Sequence, residues 1–182
     1  IACDGGDDNR FINNTITNST DDGLELDNGA TRNVVMNNTL SYNKGDGLHI
    51  QASSIRNTIQ DNTIEKNRDE GMQIEGSSPY NIITGNLVYS NWDHGIKIIT
   101  SSINNTLRNN TVNNSGWNLG AGKNGDGILI ETDYNRIFNN TISWGVDDGI
   151  KLENAQYNLI VDNIIENNED KAIHLITSSD NN

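Results

Sequence analysis

The sequence predicts an all-β solenoid, a parallel β-helix of seven coils with about 24 residues and three short strands in each. Three observations carry this reading. Asn9, Asn33, Asn57, Asn81 and Asn105 recur every 24 residues, and the beat returns at Asn135, Asn158 and Asn181 after one insertion and two small deletions. Five residues after each of the first seven stands a second Asn: Asn14, Asn38, Asn62, Asn86, Asn110, Asn140 and Asn163. Nine residues further on, or seventeen in the fifth coil, stands a small residue: Gly23, Gly47, Gly71, Gly95, Gly127, Gly149 and Ala172. A chain that counts this way is a stack of coils, none of which can bury its apolar face alone.

Each coil holds three apolar alternations. The first carries Phe11, Val35, Ile59, Ile83, Leu107, Ile137 and Ile160; the second carries Ile16, Leu40, Ile64, Val88, Val112, Ile142 and Ile165. The third follows the small residue as an in-out-in pattern, from Leu24/Leu26 through Met72/Ile74 to Ile173/Leu175. Period-two alternation of β-branched residues between Asn, Asp and Gly marks strands and turns, and no segment keeps a helical period. Parallel stacking sets equivalent side chains about 4.8 Å apart. An inward Asn at a bend can then bond the Asn of the next coil, and the repeated Gly is expected to supply a positive φ. The coils fall at 8–30, 31–54, 55–78, 79–102, 103–132, 133–155 and 156–178 of a single domain, 1–182.

The net charge is −13 and the pI about 4.4, so no basic stripe exists to meet a nucleic acid. No apolar run is long enough for membrane insertion. The chain starts at Ile1 without a signal peptide and stops at Asn182, early in a further coil and without a polar cap. It is therefore expected to be a segment of a longer chain, or to associate end to end through its coils. Cys3 has no partner for an internal disulfide. Sequons at Asn13, Asn18, Asn37, Asn104, Asn109, Asn113 and Asn139 are by-products of the Asn-Asn-Thr repeat before they are glycan acceptors.

The unit N-x-h-x-x-N-x-h followed by (D/E)-G-h-x-h, where h is apolar, resembles the parallel β-helix repeat of the pectate-lyase-like superfamily, especially its carbohydrate-binding and sugar-hydrolysis repeats. It extends from Asn9 to Leu175. The resemblance implies a right-handed, single-stranded β-helix. It leaves the activity open, because that superfamily includes polysaccharide lyases, polygalacturonases, mannuronan C5-epimerases, periplasmic accessory proteins and surface-layer proteins.

Function is expected where outward residues stop being interchangeable. Acidic residues precede the repeated Gly in most coils, and Asp22, Asp46, Asp126 and Asp148 would stack one coil apart. Such a row is relieved by solvent, by raised pKa values, or by a bound Ca²⁺, which favours carboxylate oxygens. Between the two apolar positions of the third strand come His49, Gln73, Lys97 and Lys151 among others. Trp92, Trp117, Trp144 and Tyr42 lie in the turn leading into that strand, and the insertion Ser115 to Asn124 enters there too. Aromatic platforms beside amides and acids suit a sugar, whose CH faces stack on rings while its hydroxyls take polar partners. Trp92, Trp117, Trp144, Tyr42, His49, Gln73 and Lys151 are thus candidate polysaccharide contacts. Local basicity for an acidic glycan would come from Lys97, Lys123 and Lys151.

In the fourth coil Asp93-His94 replaces the acidic turn, beside Lys97, with Glu70 and Asp126 in the flanking coils. Uronate lyases and epimerases need a base, an acid and a neutralising cation, and Asp93, His94, Lys97, Glu70 and Asp126 are the candidate catalytic set. Asp93-His94 lacks the Pro and Tyr that accompany the epimerase motif, and polygalacturonase signatures are absent. Two readings follow: a carbohydrate-binding or polysaccharide-processing β-helix at an extracellular, cell-surface or periplasmic location, or a non-catalytic structural surface solenoid. Copper handling is disfavoured, since two Met, one Cys and three separated His make a thin soft-ligand set.

Overall fold

A computed structural model of the chain describes residues 1–117 and 125–182. Within them every regular element is a strand, and the strands form three parallel sheets. The first alternation builds a seven-stranded sheet from Arg10–Ile12 to Leu159–Val161. The second builds another from Thr15–Thr17 to Ile164–Glu166, and the third gives eight strands, from Ala2–Asp4 to Ile173–Ile176. Register follows the repeat: Val35 faces Ile59, Leu40 faces Ile64, and Leu48 faces Met72. These inward residues are fully buried and make one continuous core. The eighth strand was not anticipated. In it Cys3 pairs with Leu26 and points inward, so the lone thiol is a core side chain.

The asparagines form the expected ladders. The Asn57 N–H donates to Asn81 Oδ1 at 2.9 Å, while its amide reaches Asn81 Oδ1 at 3.1 Å and Ala30 O at 2.9 Å. Asn62 does the same with Asn86 and Val35 O. A third ladder, missed in the sequence, runs through Asn43, Asn67 and Asn91 at the turn into the third sheet. These amides are buried, and each satisfies a backbone N–H that a turn would otherwise orphan. The Asn before the second ladder has a different task. Asn13, Asn37, Asp61, Asn109, Asn139 and Asp162 share a φ of 53–59°, a left-handed conformation that Asn and Asp tolerate.

The repeated glycines depart from expectation. None of Gly23, Gly47, Gly71, Gly95, Gly127 and Gly149 has a positive φ. Space is what they supply: a Cβ on Gly47 would lie 2.3 Å from Ile64 Cγ2 and 2.7 Å from the Gly71 carbonyl, and Gly95 and Gly127 meet the same obstruction. The turn packs against the second strand and the next coil at once, which leaves no room for a methyl group.

Candidate functional site

The acidic turn residues lie inside the solenoid. Asp46, Glu70, His94, Asp126 and Asp148 are at most 5% exposed. Each turn N–H must find an acceptor, and the side chain one coil back provides it. Asp22 Oδ1 accepts from the Asp46 N–H at 2.7 Å and Asp46 Oδ1 from the Glu70 N–H at 3.0 Å. His94 Nδ1 accepts from the Asp126 N–H at 3.2 Å, and Asp126 Oδ1 from the Asp148 N–H at 3.0 Å. The column expected at the surface is therefore a fourth hydrogen-bonded ladder, built from carboxylates and one imidazole.

The outward bases of the third strand turn back onto this ladder. His49 Nδ1 is 3.1 Å from Asp22 Oδ2, Lys97 Nζ is 2.6 Å from Glu70 Oε1, and His174 Nδ1 is 2.6 Å from Asp148 Oδ2. His49 Nε2 also meets Glu75 at 3.1 Å and Gln73 at 3.4 Å. Among the proposed catalytic residues, Glu70 and Lys97 are an ion pair and His94 packs between Asp93 and Asp126, at 3.6 and 3.4 Å. Burial lowers the His94 pKa to about 4 against the pull of Glu70, with Lys97 and Lys151 adding to the shift. His94 is thus a neutral imidazole that accepts at Nδ1.

Burial, reinforced by Glu70 and Asp22, pushes the Asp46 carboxyl up to about 10. Glu70 is itself buried, yet hydrogen bonds with Asp69 and Lys97 lower it to about 2. The unfolded chain releases the Asp46 proton near pH 4, while the folded one keeps it to about pH 10. Folded protein therefore holds the extra proton across this window, and this site's stabilisation is lost as pH rises through it. Asp46→Asn keeps the acceptor for Glu70 and removes the titration. We expect the variant to melt a few degrees above the parent at pH 8, the gap closing towards pH 4, in thermal unfolding across pH. A constant gap would exclude Asp46 as its source.

The aromatic candidates separate. Tyr42, Trp92 and Trp117 join Asn18, Lys66 and Arg68 around a groove of about 380 Å³ at the turn between the second and third sheets. Lys66 Nζ stands 5.2 Å from the centre of the Tyr42 ring, and the Arg68 guanidinium 5.3 Å from that of Trp92. Trp144 is 58% exposed and does not line this groove. His49, Gln73 and Lys97 belong to the neighbouring sheet face, and Lys151 is nearly buried on it. The wall expected from the insertion, with Lys123, falls largely at 118–124, outside the described residues. Lys66 and Arg68 were missed, although the 24-residue count gives them: Lys66 is one coil after Tyr42, and Arg68 one coil before Trp92.

A family model described as right handed beta helix region matches residues 1–88, and one described as periplasmic copper-binding protein (NosD) matches residues 76–182, more than half of the chain. The chain belongs to the NosD family. Its fold is the right-handed parallel β-helix of the pectate-lyase-like superfamily. A mutant of the periplasmic alginate epimerase AlgG superposes with a TM-score of 0.83 at 19% identity, over 94% of this chain and 39% of that one. The A-module of the Azotobacter vinelandii mannuronan C-5 epimerase AlgE4 gives 0.75 at 14% identity, over 96% and 57%. Pectate lyase Pel9A gives 0.65 at 19% identity, over 79% and 42%. The chain thus spans between about two-fifths and three-fifths of the length of these proteins, and at such identities the likeness concerns the fold. No curated protein sequence matches it.

The NosD family name implies copper, and the donors here do not suit it. Met72 is fully buried in the third sheet and Met36 lies in the first, so no thioether pair exists. Cys3 is buried with its sulfur near Gly6 O and Asn33 Oδ1. Where three ligating groups converge among the described residues, carboxylates dominate, with at most one imidazole and no thiol. Copper(I) wants thiolate or thioether, which these clusters lack; copper(II) takes a tetragonal set of nitrogen and oxygen, of which each cluster offers at most one nitrogen.

Proposed function

We propose that this NosD-family solenoid is a polysaccharide-binding protein of the periplasm or cell exterior, and that it takes an acidic glycan in the Tyr42–Lys66–Arg68–Trp92–Trp117 groove. The observation that carries this reading is the groove itself. Ring faces for stacking on sugar CH groups alternate there with two cations able to meet carboxylates. Residues from successive coils line it, so a chain lying along the solenoid axis would meet repeating contacts at about 4.8 Å. The AlgG and AlgE4 proteins are named as alginate and mannuronan epimerases and Pel9A as a pectate lyase, which supports a uronate polymer as ligand. The net charge of −13 opposes a polyanion at long range, so salt should strengthen rather than weaken the encounter while screening the two local cations.

Binding rather than turnover is the activity proposed. Of the expected chemical groups, His94 and Asp126 serve as ladder rungs beneath the surface, and the buried Glu70 carboxylate is held by Lys97. Calorimetric titration with polymannuronate, polyguluronate, polygalacturonate and a neutral glucan tests the reading. We expect saturable binding of at least one uronate polymer, weakened roughly tenfold, about 1.4 kcal/mol, by Trp92→Ala or Arg68→Ala, and unchanged by Trp144→Ala. Failure of every glycan to bind would leave the structural solenoid in its place. A His94→Ala loss of product formation, with binding retained, would instead restore a catalytic role.

A further inference from the structure

One carboxylate of the buried ladder lacks what its equivalents have. Asp22, Glu70 and Asp148 each set a carboxylate oxygen against a nitrogen base of the third strand: His49, Lys97 and His174. Asp126 has a fully buried side chain, and its Oδ1 takes the Asp148 N–H. Its Oδ2 has no hydrogen-bond partner among the described residues. The nearest base is His94 Nδ1 at 3.4 Å, but that nitrogen already accepts the Asp126 N–H and has no proton to give. Lys151, the strand residue that corresponds to His174, stops short of bonding it. A buried carboxylate oxygen without a donor is costly, and a positive charge placed beside it would offset that cost.

We propose that Asp126, Asp147 and Asp148 bind a hard divalent cation of the calcium or manganese kind. The three carboxylates each bring an oxygen within 4.8 Å of the others, so an ion placed equidistantly lies no more than about 2.8 Å from each, a few tenths from Ca²⁺ bonding distance. The set is all oxygen, which selects hard ions and excludes copper(I). Asp126, Asp147 and Asp148, with Asp170 beside them, outnumber Lys151 and Lys171, and a dication offsets the excess of negative charge. Asp147 is half-buried and gives the ion a way in from solvent. The related trio Asp46, Asp69 and Glu70 is not an equal candidate, because none of its buried oxygens is left without a partner.

The test uses the whole chain, stripped with EDTA and titrated calorimetrically with CaCl₂, MnCl₂ and CuCl₂, with Mn²⁺ paramagnetic resonance as a second readout. We expect one saturable site for Ca²⁺ and Mn²⁺. Asp147→Asn, at a partly exposed position that does not threaten folding, should weaken it at least roughly tenfold, while Asp69→Asn should leave it unchanged. The inference is overturned by absence of a saturable site, by Mn²⁺ binding indifferent to Asp147→Asn, or by a site that takes copper alone. None of these results depends on whether a glycan binds.

Discussion

Asn86→Ala should cost about 3–5 kcal/mol. Asn86 Oδ1 receives both the Asn62 N–H at 2.9 Å and the Asn62 amide at 3.0 Å, deep between coils where water does not reach. Its own amide holds Ile59 O, Thr84 O and Asn110 Oδ1. Alanine would strand two donors of Asn62 and leave a void beside them. The measurement is the urea midpoint at unchanged slope. Asn14 stands at the exposed end of the same ladder and donates to Asn38 without a rung of its own to support. Asn14→Ala should therefore cost less than about 1 kcal/mol. Equal losses at the two positions would rule out burial of unpaired donors as the cause.

Gly71→Ala should cost about 2–3 kcal/mol, the upper part of the range for an overpacked core. The added methyl would sit 2.4 Å from Val88 Cγ1, 2.5 Å from the Gly95 carbonyl and 2.8 Å from Asn91 Nδ2. Two of those atoms cannot retreat: the carbonyl accepts the Met72 N–H, and the Asn91 amide is a ladder rung. At the last coil the same position is Ala172, which is exposed. Ala172→Gly should then change stability by no more than about 0.5 kcal/mol. If Gly71→Ala proved as mild, the glycine column would be explained by backbone freedom, which the negative φ values argue against.

These two columns were legible as spacing before their causes were. The period named Asn86 and Gly71, and alternation named Val35, Leu40 and Leu48 as core. The amide ladder followed directly, because parallel stacking of identical residues allows little else. The glycine's reason did not, since a clash with Val88 and Gly95 involves residues from another strand and another coil. The eighth strand and its inward Cys3 escaped because a single half-coil has no period to read. In the aromatic groove, Tyr42, Trp92 and Trp117 were visible as unusual residues. Lys66 and Arg68 were overlooked because charged residues in a turn look like ordinary solvated ones until the rings are found beside them.

The acidic column marks the limit most clearly. Its register was evident from Asp22 to Asp148, and stacked like charges at one coil spacing had to be relieved somehow. Sequence alone determined the solenoid, its rungs, its parallel register and the residues that share each column, because all of these follow from a one-dimensional count. Only the tertiary structure decided that the column lies inward, that His94 accepts rather than donates, and which bases fold back onto which acids. Those outcomes depend on the direction in which each turn points its side chain and on the partner one coil away. Such distances and angles are set by packing in three dimensions, and a repeat length does not contain them.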